Sequence, residues 1–472
     1  MMKKKLLTVL ICSFALAFCI SGPVLGAEDP PQGEGYHEGE TEEGNKENTD
    51  SPNPNPEDES NKETENNQEN TDTDHKTDSG DKQEGQDPDQ KPDPDPEPEQ
   101  PKPDEKPEGI SVDPQTQKMI VDISLMKVVQ IQGNNISFSY LDGRDYKGST
   151  TIPAAGCIFR KAPGTGTSVT FLSPSVPILL EGASTGTPYT YQVTGNLENV
   201  SSLQVNGILW FPQSASFSGN ITASRVSSKN KLTIKSGKIS LGALDAAEIA
   251  VEGGDLTIQD TIQTTGPLSI TGGTVLCKGA IQSNGAIQIA SEGWSVTARQ
   301  ITAGDQITLS KKTGVTANAL SGTSLNLTEN SSFSLSKADS ALYGQGVLSG
   351  DISISGGSIL SADGDIQARN ITISSGSFVN NRSLSASGTL SVPNGGTLQG
   401  GGTIQTKDFS DGGIVKASNF TATNLIQIKS NMEVTGTISA PALTVEGTLN
   451  AGKIQSNQLK APKSLAIPNT EL

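Results

Sequence analysis

The sequence predicts an all-β fold: a right-handed parallel β-helix, a solenoid with about 19 residues per coil, following an acidic linker that has no core of its own. Three observations carry that expectation. The stretch Leu268-Ser269-Ile270-Thr271-Gly272-Gly273-Thr274-Val275 recurs with the same spacing of apolar residues and glycine from Leu232 (Gly237), Ile249 (Gly254), Ile352 (Gly357) and Ile371 (Gly376). Its second apolar residue repeats as Ile234, Val251, Ile270, Ile289, Leu309, Leu327, Ile354, Ile373, Val392, Phe409, Ile428 and Val445, at steps averaging about 19 residues. Between the apolar positions stand mostly Ser, Thr, Asn and Gln, so the pattern alternates with period two, and helical periodicity is almost absent.

A short unit of this kind buries its apolar side only by stacking on its neighbours, which makes a repeat near 20 residues a solenoid signal. At roughly 3.3 Å per extended residue, one coil is long enough to run round a three-sided section and return one strand higher. Competing repeats fit less well. Leucine-rich repeats need a longer leucine ladder with a fixed Asn or Cys, propeller blades need longer periods, and the Ca²⁺-binding nonapeptide needs an aspartate in every unit.

Taken in order, Met1 to Ala27 has the form of a signal peptide: Lys3, Lys4 and Lys5, an apolar run from Leu6 to Ile20, and small residues around Val24 to Ala27. An uncleaved anchor is the alternative for that run. Residues 28–108 hold 29 Asp and Glu against 7 Lys, with a Pro-alternating end at Lys91 to Pro98. So polar and charged a segment cannot offset the entropy of ordering, and it reads as a disordered, self-repelling spacer. The whole chain is −18, and the signal (+3) and linker (−22) leave residues 109–472 near +1. A near-neutral folded part has no basic field for nucleic acid or for anionic membrane.

Residues 109–230 read as strand-rich but irregular, with candidate strands at Val128 to Ile131, Ser168 to Phe171 and Ile178 to Leu180, and with most of the aromatic residues. They are either the first coils and a cap on the open end of the solenoid or a separate small β-domain. Residues 231–472 are the regular repeats. The step widens to 27 between Leu327 and Ile354, so Ser331 to Gly350 reads as a loop bulging from one coil, with Tyr343 as its exposed aromatic. Cys12 and Cys19 belong to the signal, which leaves Cys157 and Cys277 several rungs apart as small buried hydrophobes.

The chemistry is bounded first by histidine. His37 and His75 both lie in the linker, so residues 109–472 contain none, which removes Ser-His and Cys-His arrangements and His-ligated metals. Carboxylates one period apart would stack into a Ca²⁺ or acid–base site, yet of the aspartates only Asp260 and Asp363 share an offset from the repeat, and they are five rungs apart. Asp363-Gly364-Asp365, with nearby Asp351 and Arg369, is the best acidic cluster and the only weak candidate for Ca²⁺. Its alternative reading is a polar turn. For a sugar, whose C–H face packs on a ring while its hydroxyls need partners, the candidate platforms are Trp210, Phe211, Trp294 and Tyr343. Trp294 follows Gly293 in a turn one residue longer than the standard copy, which projects it outward.

The Leu-x-Ile-x-x-Gly-x-Val units with their Thr-Gly-Gly-Thr turn, behind a signal peptide and an acidic Asp-Pro-rich segment, resemble secreted Gram-positive right-handed β-helix surface proteins. In fold these are similar to the pectate-lyase-like superfamily, including its non-catalytic carbohydrate-binding members. The resemblance covers about Val129 to Leu459. It implies a polysaccharide ligand, and for the enzymes a carboxylate-held Ca²⁺ with an Arg or Lys base. The stacked carboxylates of that arrangement are missing, and no catalytic residue carries over. Ile467-Pro468-Asn469-Thr470-Glu471 is similar to a sortase signal, but Glu471 stands where glycine belongs.

The expectation is therefore a secreted, surface-associated, non-enzymatic protein that meets a polysaccharide or a host or cell-envelope surface. Its mature chain makes no membrane insertion and needs no cofactor. The alternatives are a polysaccharide lyase and an inert structural spacer.

Overall fold

The computed structural model describes residues 107–146, 148–337 and 344–461, with the backbone of Leu465–Ala466. Over these residues the chain is a parallel β-solenoid of about 17 turns with about 18 residues per turn. The single 27-residue step between Leu327 and Ile354 lifts the sequence average to 19. The segment read as a signal peptide, the acidic stretch up to residue 106, Tyr343 and Ile467 to Glu471 lie outside the described residues. Among those described, the one helical element is the three-residue 3-10 turn Ile123–Leu125.

One rung shows how the repeat becomes structure. Leu268–Ile270 forms face one, and Thr274–Ser283 bends after Cys277 to supply faces two and three. The next rung lies parallel on it, with Leu268 opposite Ile287, Val275 opposite Val296 and Ile281 opposite Ile301. All six side chains are buried. Removing each from water contributes roughly 1.5–3 kcal/mol, so the interior of the coil serves as the core and no covering layer of helices is needed. Further on, Gly396–Asp411, Ile414–Ile428 and Asn431–Val445 each run round two corners as one continuous strand.

The glycine of the repeat has a steric cause. Gly254 and Gly273 turn the corner between faces one and two with φ of +85° and +80°. A Cβ on Gly273 would stand 2.4 Å from the carbonyl oxygen of Gly254, and one on Gly254 would stand 2.6 Å from that of Gly237. Backbone packs directly on backbone at this corner, and only glycine permits both the angle and the approach.

The inward row of repeat anchors is real with one correction. Ile234, Val251, Ile270, Ile289, Leu309, Leu327, Ile354 and Ile373 stack in unbroken register. Phe409, however, pairs with Leu390 and Ile426 and belongs to the neighbouring inward row. The place opposite Val392 is taken by Asp411. Residues 409 and 411 point to the same side of a strand, so side-chain alternation alone does not separate them.

Ser331 to Gly350 is also less of a loop than its spacing suggests. Ser332–Leu335 is a strand on face two, with Phe333 and Leu335 in the core, and Gln345–Leu348 is a strand on face three.

Toward the N-terminus the parallel ladders continue. Met119–Asp122, Cys157–Arg160, Ile178–Leu180 and part of Leu197–Phe211 form one, while Met126–Gln132, Ser168–Leu172, Thr190–Val193 and the end of Leu197–Phe211 form another. Antiparallel pieces close this end: Ile110–Val112 on Met119–Asp122, and the hairpin of Met126–Gln132 with Asn135–Tyr140. Phe138 stacks on Tyr146 at 4.8 Å and meets Tyr140 edge-on at 5.4 Å, an aromatic knot beneath the hairpin. Cys157 and Cys277 are both buried free thiols, and burial raises the pKa of each.

Candidate functional site

Because every strand buries alternate residues, each face presents outward columns in which one residue per rung lies directly above another, about 4.8 Å apart. On face three the column starting at Trp210 runs through Ser227, Asp245, Gln263, Gln282, Thr302 and Ser321. Thr302 and Ser321 hydroxyls lie 3.0 Å apart, and Gln300 donates to the Thr302 hydroxyl at 3.2 Å. The matching column on face one includes Ser269, Gln288, Thr308, Asn326, Ser353 and Thr372. Apart from Trp210 and Asp245, which pairs with Arg225, both are ladders of amides and hydroxyls, groups able to donate and accept.

The aromatic candidates fall into different environments. Trp210 faces outward and is half-buried between Gln192 and Ser227. Phe211, one residue on, points inward, is 1% exposed and meets Phe217 edge-on at 5.0 Å. It is a core ring, not a ligand platform, because the strand that turns Trp210 out turns its neighbour in. Trp294 is 46% exposed at the corner between faces one and two, after Gly293 at φ +76°. Two residues before it, Glu292 pairs across one rung with Lys312 at 3.2 Å. The two tryptophans are not brought together: five rungs, about 24 Å, separate them, and they stand on different sides.

The acidic cluster also separates. Asp351 precedes face one, while Asp363 and Asp365 occupy the corner between faces two and three. Asp351 accepts from Arg369 Nε and from the Asn370 amide, each at 3.0 Å. Asp363 accepts from the Asn381 amide at 2.9 Å, and Asp365 from the backbone N–H of Ser383 at 3.1 Å. Each of these donors lies one turn further along the chain, so the carboxylates fasten successive rungs. The same use recurs in Arg225–Asp245 and Lys416–Glu433. Among the described residues no three acidic, histidine or cysteine side chains meet as a metal cluster. Asp351 and Arg369 also edge a shallow hollow of about 360 Å³ on face one, with Gln306, Asn326 and Ser353.

The pairing moves the acidities as expected. The Arg369 guanidinium beside Asp351 holds its carboxyl below the usual range, and Lys235 with Ser216 does the same for Glu198. Asp411 moves the other way, raised by burial. Its position was legible, but only as an unstacked aspartate; the signal that exposes it is the strand register.

The chain matches no known protein family, no curated protein and no solved structure. The fold defines a class, the parallel β-solenoids. No helix among the described residues is long and apolar enough to cross a membrane.

Proposed function

We propose that this is a secreted, surface-associated β-solenoid that binds polysaccharide without transforming it, in the manner of the non-catalytic members of the pectate-lyase-like superfamily. The observation that supports this most is the face-three column, in which the outward-facing, half-buried Trp210 is followed, after Ser227 and Asp245, by amides and hydroxyls at one-strand spacing. A sugar ring stacks its C–H face on an indole while its hydroxyls need partners that both donate and accept. The rise of one rung is close to the length of one hexose in an extended chain, so a glycan lying along the column meets a polar group at each residue. Asp351, Asp363 and Asp365, bonded to the next rung, lie outside this column, and Asp245 within it is paired with Arg225. Export rests on the pattern of Met1 to Ala27.

The test is a glycan array probed with the full chain, covering neutral and acidic polysaccharides at low and high salt. Retention of a neutral, extended glycan with little dependence on salt is expected, since no charge is neutralised on binding. Retention of polyanions alone, eluted by salt, would sink the proposal.

A further inference from the structure

We infer that Asp411 is a proton-operated latch inside the solenoid: protonated, it lets the rungs on either side of it close, and ionised, it loosens them. Its place carries the inference. Strand register sets Asp411 in the inward row, opposite Val392 in the rung below and, one residue on from the Ser410–Gln427 pair, opposite Ile428 in the rung above. From Ile234 to Val445 every other residue fixed in this row is aliphatic. Asp411 is 2% exposed.

The two carboxyl oxygens are treated differently. Oδ1 accepts the backbone N–H groups of Lys429 at 2.5 Å and Ser430 at 3.1 Å, satisfying the corner of the rung above. Oδ2 is buried with no hydrogen-bond partner. One half of the group therefore ties two rungs together, while the other half holds a polar atom in an apolar interior. A neutral carboxyl tolerates that interior far better than a carboxylate does.

The surrounding charges do little to relieve it. The rung below presents Val392, Pro393 and Asn394, none of them titratable. The rung above presents Lys429, whose side chain is exposed, and on its own strand Asp408 is bonded to the Asn424 amide at 2.6 Å. Burial is the largest influence on Asp411 and raises its pKa, opposed by the two N–H groups and by Lys429. With the folded value above the unfolded one, the stabilisation is full below about pH 4 and is lost as pH rises through the folded value. Each unit between the two values changes the opening equilibrium about tenfold. The effect is confined to Gly396–Asp411, Ile414–Ile428 and the rungs they touch, because a solenoid transmits stability only between neighbours.

The experiment is amide exchange read peptide by peptide on the full chain from mildly acidic to neutral pH, corrected for intrinsic rates. In the wild type, peptides within 396–434 should open more as pH rises and then level off, while those within 248–354 stay constant. Asp411→Asn keeps a carbonyl oxygen for the two N–H groups and removes the titration, so its 396–434 peptides should show no such rise. Flat wild-type behaviour across 396–434 overturns the latch, as does an Asp411→Asn chain with the same rise. If that variant does not fold, the comparison of the two regions within the wild type still decides the matter.

Discussion

Asp351 accepts a hydrogen bond from Arg369 Nε at 3.0 Å, across one full turn of the solenoid. Two residues 18 apart in sequence thus become a surface tie between adjacent rungs. The guanidinium holds the Asp351 carboxyl below its usual range, so the tie contributes above the unfolded pKa and is lost as pH falls through the lower, folded value. Both side chains are half exposed, and solvent keeps such pairs weak. Arg369→Ala should therefore raise the Asp351 pKa toward the ordinary carboxylate range and lower neutral-pH stability only slightly, a difference that disappears in strong acid. Urea melts of both chains across pH measure it, and a stability loss that persists in acid would mean that Arg369 acts by packing instead.

The corner glycines provide a steric contrast. Gly254 and Gly293 both have positive φ, +85° and +76°, but a Cβ on Gly254 meets the Gly237 carbonyl at 2.6 Å while one on Gly293 meets nothing within 4 Å. Gly293→Ala should cost about 1–2 kcal/mol, the conformational penalty alone. Gly254→Ala adds a collision between backbones that cannot give way, so its loss should be clearly larger. Equal losses in denaturant melts would show that the rungs can separate at this corner.

Adjacent aromatic residues separate binding from folding. Trp210→Ala should weaken retention of the glycan found on the array by several-fold to tenfold, about 1 kcal/mol, while leaving the melt nearly unchanged. Phe211→Ala should do the reverse, costing about 3–5 kcal/mol as a core truncation. Trp294→Ala, on another side of the solenoid, reports whether a second platform exists. Loss of binding in that variant with full retention in Trp210→Ala would move the binding surface to the corner at Gly293.

Incubation with pectin or polygalacturonate and Ca²⁺ should produce no ultraviolet-absorbing unsaturated product. The carboxylates nearest to a cluster, Asp363 and Asp365, stand apart from Asp351 and are bonded to the following rung. Ca²⁺-dependent growth of absorbance that vanishes in Asp363→Ala or Asp365→Ala would make the protein a lyase.

The solenoid and its period are properties of the sequence alone. Leu268, Ile270 and Val275 face the interior wherever their strands pair, because alternation follows from the geometry of an extended chain. The glycine turn was equally legible, although its reason, the carbonyl of the glycine one rung below, belongs to the stacked structure. Register was not legible. Phe409 and Asp411 share a side of their strand, and a search for apolar residues selects Phe409, yet the pairing along the whole ladder places the carboxylate opposite Val392. Proximity in space was hidden as well. Asp351, Asp363 and Asp365 are close in sequence but fall at two corners of one rung, and each finds its partner a turn later. Local pattern determines which way a side chain points, because that depends on one strand. Which residue it lies against depends on the length of every corner between two rungs, and only the folded stack decides that.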